Sequence, residues 1–400
     1  MPDQIIRVEP GILQGRITPP PSKSDAHRAM ICCRLSGQTQ PPAGLGKIWS
    51  DDIKTTWNCL DLLLNNDVSD PVELDCGESG TTLRLLVPLA AALNKPIIFT
   101  GHGRLPERPI QEYIDIMRGH GVEHARPEKY SLPFSTCGQL EAGVFYAPGN
   151  VSSQYISGML LALPLLEGDS ELRLTNKLES APYVDMTVET MSKFGVEVQK
   201  TDWGWSVRGG QSYSPADYIV EADYSQAAFW LTAKYSGSRL DIDGLVTESV
   251  QGDRAIINLL TDFASDKTAF EIDVSQIPDL VPILAVAASL TPAVTRLVNG
   301  SRLRLKESDR LSSTEDALSR IGADIQQTED GLIIQGGKPL TGGCASSHND
   351  HRIAMALAIA ALSTQEGIEI KGAQAVNKSY PDFFVRMREL GGKCHELNLG

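Results

Sequence analysis

Four hundred residues with 42% hydrophobic content can bury a sizeable core in two or three domains. The formal net charge of −14 argues against nonspecific nucleic-acid binding, because a polyanion is repelled by the overall field, whereas small anions can still be held where a few cations converge. The seven cysteines, odd in number and without a Cys-x-x-Cys pair, fit a reducing cytosol; apolar stretches such as Leu280 to Leu290 are too short to span a bilayer, and Met1-Pro2-Asp3-Gln4 has no charged-then-apolar leader.

Six helix starts of one kind are predicted along the chain, at Ser24, Ser79, Ser153, Ser225, Asp279 and Asp350. Each lies beside or among Ser, Thr, Asn or Asp and leads into an Ala/Leu/Ile-rich run. The first three are spaced by 55 and 74 residues and the last three by 54 and 71, so the second half repeats the rhythm of the first. A helix start offers free N–H groups and partial positive charge, a natural seat for anions.

A second element recurs. Helix ends pass through Gly into a short strand at Gly119–Glu123, Gly195–Val198, Gly322–Ile325 and Gly391–Lys393. Helices alternating with strands indicate an α/β fold. Residues Leu280 to Leu290 and Ile353 to Leu362 are apolar on every face and are expected to be enclosed by other structure. Two crossings between halves are expected, at Thr18-Pro19-Pro20-Pro21 and near Gly209–Asp223, with the first eighteen or so residues packing with the C-terminal half.

The polar motifs fall at these starts. Pro21-Ser22-Lys23-Ser24 with Arg28 suits a carboxylate or phosphate, although an ordinary N-cap with a solvated Lys explains it equally well. Gly77-Glu78-Ser79-Gly80-Thr81-Thr82 with Arg84 is a second such turn. Glu107-Arg108-Pro109 reads by default as a surface turn, and Ser152-Ser153-Gln154 as neutral donors or simple capping. Lys306-Glu307-Ser308-Asp309-Arg310 places residues 306, 307 and 310 on one helical face. Asn349-Asp350-His351-Arg352 puts charges at the mouth of an apolar helix, which mere surface does not explain. Lys378-Ser379-Tyr380-Pro381-Asp382 is a last basic turn. No P-loop, Gly-x-Gly-x-x-Gly, Gly-x-Ser-x-Gly or zinc-helix motif occurs, and the scattered histidines make a dedicated metal site improbable.

Taken in order, these segments, with Ser180-Ala181-Pro182-Tyr183 among them, resemble the 5-enolpyruvylshikimate-3-phosphate synthase family over nearly the whole chain. The resemblance implies an inside-out α/β fold of two domains, residues 20–221 and residues 1–19 plus 222–400. Each would hold three βαβαββ repeats with helices enclosed by sheets, and the site would lie in the cleft between them. It implies transfer of the enolpyruvyl group of phosphoenolpyruvate to the 5-hydroxyl of shikimate-3-phosphate, without cofactor or metal, by a cytoplasmic monomer with neither nucleic-acid nor membrane partners.

By similarity, Lys23, Ser24, Arg28, Ser152, Ser153, Gln154, Ser180, Tyr183, Asp279, Arg302 and Lys306 would hold shikimate-3-phosphate. Lys23, Gly80, Arg108, Gln154, Arg310, Arg352 and Lys378 would hold phosphoenolpyruvate. Asp279 looks like the acceptor of the 5-hydroxyl proton. Glu307 and Lys23 look like the groups exchanging the C3 proton, with Lys378 an alternative donor because the cations beside Glu307 favour its charged form.

Two positions depart from the family pattern. Glu78 stands where Asn is frequent, and its carboxylate either repels phosphate or points away. Arg302 stands where a neutral amide is common and would add a carboxylate clamp. The rival readings are the sister enolpyruvyl transferase acting on UDP-N-acetylglucosamine and a non-catalytic anion-binding relative. Ser24 after Lys23, where the sister enzyme carries Asn, disfavours the first. Asp279 and Glu307 disfavour the second, since anion binding alone needs no carboxylates.

Overall fold

The computed structural model describes residues 4–65 and 71–397. Met1–Asp3, on which the reading of the N-terminus partly rests, lie outside the described residues. The chain divides into two compact units, Lys23–Val220 and Met1–Ser22 with Glu221–Gly400.

Among the described residues one topology recurs four times in this mixed α/β protein. In the Lys23–Val220 unit, strand Val72–Asp75 runs parallel to Ile97–Thr100, and helix Gly80–Ala92 makes the crossover between them. Phe134–Cys137 then pairs antiparallel with Ile97–Thr100, and Glu123–Ala125 takes the outer edge. The same order is built by Val144–Ala147, Ser170–Leu174, Gly204–Val207 and Gln199–Thr201, with helix Ser153–Ala162 as crossover.

In the other unit, Ala269–Asp273, Val294–Val298, Leu332–Gln335 and Asp324–Gln327 repeat it around helix Val281–Leu290. The fourth sheet joins Gly343–Ser346, Ile368–Lys371 and Cys394–Leu397 to the N-terminal strand Ile5–Val8, which fills the inner position. The remaining repeat of each unit keeps its helices and shortens its strands. Among the described residues it is a two-stranded parallel pair, Gln14–Ile17 with Arg239–Ile242, in one unit and an isolated bridge between Ala43 and Ile219 in the other.

The crossover helices are buried because their sequences leave no polar face. All eleven residues of His351–Ala361 are buried, as are nine of the ten of Val281–Leu290. Burying side chains such as Ile283 and Leu284 contributes about 1.5–3 kcal/mol each. Such helices tolerate few backbone defects, and one defect is repaired. Pro88 lies inside Gly80–Ala92 and has no N–H for the Arg84 carbonyl. The Tyr113 hydroxyl donates to that carbonyl instead. Gly158 of the neighbouring crossover helix leaves room for this contact, since an added Cβ would run into the Tyr113 oxygen and the Arg84 carbonyl.

The predicted helix starts fall within one or two residues of the observed ones. Ser79 and Asp350 are N-caps whose side chains accept from Thr82 N and Arg352 N. Ser152 caps in place of Ser153, and Asp223 in place of Ser225. The first helix begins at Lys23, and a 3₁₀ turn, Pro278–Leu280, carries Asp279 ahead of its helix. Gly119, Gly195, Gly322 and Gly391 all have positive φ, as the helix-end pattern requires.

The two expected crossings meet within one unit. Pro21 bridges Ala222 antiparallel, Ser22 N donates to Glu221 O at 2.7 Å, and Asp223 N donates to Pro20 O at 2.9 Å. Among the described residues no helix is long and apolar enough to cross a membrane.

Candidate active site

In the Glu221–Gly400 unit, charge gathers around Arg310, which is 1% exposed. Its Nε donates to Asp350 Oδ2 at 3.0 Å, Nη1 to Asp279 Oδ1 at 3.0 Å and Nη2 to Glu307 Oε2 at 2.7 Å. Asp350, the N-cap of helix His351–Ala361, also accepts from Ser308 Oγ at 3.2 Å. Arg352, the second residue of that helix, donates to Asp279 Oδ2 at 2.7 Å, and Lys306 Nζ lies 3.7 Å from Asp279 Oδ1.

These pairings set the protonation states. Burial alone would raise Asp279, but Arg352, Lys306 and Arg310 outweigh it and hold the carboxyl well below the usual carboxylate range. Burial likewise opposes the charge of Arg310, and Asp350, Glu307 and Asp279 together reverse the shift. Burial pushes Lys306 down to about 8, against the opposing pull of Asp279.

Arg310 was expected to hold phosphoenolpyruvate. Its guanidinium meets three carboxylates and so ties Asp279 and Glu307 together. Lys378 Nζ donates to the Asn349 carbonyl at 2.7 Å, within a loop where His348 and Asn349 both have positive φ. Arg302, expected as a carboxylate clamp, donates through Nη2 to the Ser275 carbonyl.

In the Lys23–Val220 unit, the anion-type groups sit at three helix starts. Lys23 Nζ is 2.7 Å from Asp52 Oδ2. Arg28, one turn further on, faces inward. It donates to Thr187 Oγ1 at 2.6 Å, to the carbonyls of Ser24 at 2.6 Å and Tyr183 at 2.9 Å, and to Ser157 Oγ at 3.2 Å. These bonds brace the start of the Lys23–Leu35 helix against Tyr183.

Arg108 follows a 3₁₀ turn, Leu105–Glu107, and reaches the second helix start. A Cβ on Gly80 would lie 2.6 Å from its guanidinium carbon, so only Gly lets the cation approach the helix N-terminus this closely. Gln154, at the third start, is held on both sides. Arg84 Nη1 donates to its Oε1 at 2.9 Å, and its Nε2 donates to Thr81 Oγ1 at 2.8 Å. Ser152 caps this helix and Ser153 is buried as its first residue. Ser180 begins helix Ala181–Lys193 with φ of 54°. Glu78 leans onto the Gly101–Gly103 loop, where its carboxylate lies against Gly103 and 3.9 Å from His102 Nδ1.

Several groups of this constellation escaped the sequence reading. Asp253 is 2% exposed and accepts from Ser225 Oγ. Burial, then the charge of Asp279, push it up to about 7, against Arg352 and the Ser225 hydrogen bond. Asp52 and Arg84, which hold Lys23 and Gln154, were also not among the expected site residues. No local motif marks Asp52, whereas Arg84 accompanies the Gly77–Thr82 turn motif but with no role read for it.

Repeated βαβαββ sheets around buried helices, with arginines and carboxylates gathered at the helix starts, define an α/β protein built to hold and polarise small anions. The EPSP synthase family (3-phosphoshikimate 1-carboxyvinyltransferase) matches residues 8–387. A 3-phosphoshikimate 1-carboxyvinyltransferase of Clostridium acetobutylicum is 41% identical over 99% of each chain, and one of Clostridium kluyveri 40% over 99% of each. In fold the chain is similar to the solved EPSP synthase of Acinetobacter baumannii, with a TM-score of 0.78 at 24% identity over 99% of this chain and 100% of that one. An enolpyruvyl transferase of Streptomyces tendae gives a TM-score of 0.76 at 15% identity, over 100% and 99% of the two chains. The chain belongs to the EPSP synthase family.

Proposed function

We propose that this chain transfers the enolpyruvyl group of phosphoenolpyruvate to the 5-hydroxyl of shikimate-3-phosphate, in the cytoplasm and as a monomer. The 5-oxygen attacks C2 while Asp279 accepts its proton, and C3 gains a proton to give a tetrahedral adduct. Loss of a C3 proton then expels phosphate as the C–O bond breaks. The balance needs no cofactor.

The observation that carries this reading is Asp279, a carboxylate clamped by Arg310 and Arg352 and held ionised. Its low basicity means that it accepts the proton as the new C–O bond acidifies the hydroxyl, not before. Glu307, tied to Arg310 at 2.7 Å, exchanges the C3 proton with Lys23 or Lys378. Ser24, Arg28, Ser152, Ser153, Ser180, Tyr183, Arg302 and Lys306 supply groups to shikimate-3-phosphate. Lys23, the Gly80 N–H, Arg108, Gln154, Arg310, Arg352 and Lys378 supply them to phosphoenolpyruvate. The cations stabilise the charge of the adduct.

A coupled phosphate-release assay tests the reading. Release is expected only with phosphoenolpyruvate and shikimate-3-phosphate together, and not with UDP-N-acetylglucosamine. Asp279→Asn is expected to abolish turnover while leaving phosphoenolpyruvate binding measurable. Full turnover by this variant would remove Asp279 as proton acceptor.

A further inference from the structure

One buried imidazole has no part in the reaction above. His27, in helix Lys23–Leu35, is fully buried, and its Nδ1 lies 2.7 Å from Thr56 Oγ1. Thr56 Oγ1 lies 2.6 Å from Thr82 Oγ1, which donates to Ser79 Oγ at 2.7 Å. The hydrogen-bonded chain thus crosses helices Lys23–Leu35, Asp51–Asn65 and Gly80–Ala92. It ends at the cap of the helix start that Arg108 covers.

Its polarity follows from counting protons, because each hydroxyl has one to give. Thr82 gives its proton to Ser79, so it accepts from Thr56, and Thr56 in turn accepts from an Nδ1–H. Nε2 is then the lone-pair nitrogen, and it meets no partner among the described residues. Reversing the chain would bury an unpartnered N–H there, the less tolerated of the two. Burial and the charges of Lys23 and Arg28 keep the ring neutral, so no second ring proton competes. Ser79 Oγ already accepts from Thr82 N at 3.1 Å and from Thr82 Oγ1, and its own proton finds no acceptor among the described residues.

We infer that His27 is a positioning residue that, through Thr56 and Thr82, presents the Ser79 hydroxyl as a hydrogen-bond donor to the anion seated at the Gly80 N–H and Arg108. The inference rests on the reading that this anion is phosphoenolpyruvate. A relay of this kind acts on substrate affinity and leaves the proton-transfer groups alone.

Two measurements test it. Ring ¹⁵N shifts of histidine-labelled protein, which need no substrate, are expected to show His27 as the Nδ1–H tautomer at neutral pH. An Nε2–H tautomer overturns the relay, whatever the enzyme turns over. In kinetics, Ser79→Ala and His27→Leu are each expected to raise KM for phosphoenolpyruvate about 3- to 10-fold, the weight of one hydrogen bond. KM for shikimate-3-phosphate should hold. His27→Asn, whose amide N–H replaces Nδ1–H, should recover most of the loss. The double variant His27→Leu with Ser79→Ala should be no worse than Ser79→Ala alone. Multiplying effects, a matching rise in KM for shikimate-3-phosphate, or no recovery in His27→Asn would overturn the inference. If His27→Leu does not fold, the tautomer and the Ser79→Ala and His27→Asn kinetics still decide it. Loss of all turnover in the unmodified enzyme would refute the proposed function instead and leave the tautomer result standing.

Discussion

Thr81 and Gln154 are each the one residue of an otherwise buried crossover helix that is not buried, and they are hydrogen-bonded to one another at 2.8 Å. The bond joins two helix starts at the point where each becomes accessible. It also fixes the amide, since Arg84 can donate only to its oxygen.

Gln154→Ala should therefore act on catalysis more than on folding. The variant leaves Arg84 Nη1 without its acceptor and loses the amide donor, and kcat/KM is expected to fall about 10- to 100-fold, equivalent to one or two hydrogen bonds to a charged group. Steady-state kinetics beside a melting curve checks this. An unchanged kcat/KM would show that the amide is only structural.

Tyr113→Phe should do the opposite. It leaves the Arg84 carbonyl beneath Pro88 without a donor, and a buried unsatisfied polar group costs about 1–3 kcal/mol. Denaturant unfolding measures the loss, and Gly158→Ala should lower stability as well by forcing the two helices apart. Wild-type midpoints in both variants would disprove the repair.

Asp253 gives a pH signature. Its folded pKa, about 7, lies above the unfolded value, so the native state binds more protons between about pH 4 and pH 7. Stability from this group is present below that window and is lost as pH rises through it. Asp279, shifted the other way, is ionised in both states there and loses its contribution only in stronger acid. Asp253→Asn should flatten the fall in Tm between pH 5 and pH 7.5 by roughly several degrees. An equal slope in both proteins would show that the carboxyl does not titrate there.

Lys306 predicts a limit at the alkaline side. With its ammonium pushed down to about 8, the cation offered to shikimate-3-phosphate is lost above that pH. KM for shikimate-3-phosphate should climb above about pH 8, and Lys306→Arg should move the climb to higher pH. A flat KM up to pH 9.5 would contradict the assignment.

Much of the architecture was legible because it repeats. Ser79 and Asp350 were read as helix starts from side-chain chemistry, and glycines past the helix ends marked the strands that follow. Boundaries slipped where neighbours compete for one role, as Ser152 does with Ser153 and Asp223 with Ser225. The site was legible as a set of residue types but not as directions. A run such as Lys306-Glu307-Ser308-Asp309-Arg310 names the charges, yet two of the three carboxylates that Arg310 meets, Asp279 and Asp350, are 31 and 40 residues away. Asp253 had no signal of its own, because its partner Ser225 is 28 residues upstream and Gln251-Gly252-Asp253-Arg254 reads as an ordinary turn.

Ile5–Val8 lies between Ile368–Lys371 and Cys394–Leu397, so a strand made before Lys23–Val220 waits for two made after it. Lys23–Val220, by contrast, is contiguous and can fold while the remainder is still being translated. Vectorial synthesis thus imposes an order on the two units. A split protein cut near Glu221 should reassemble only when the N-terminal fragment carries that early strand into the C-terminal one.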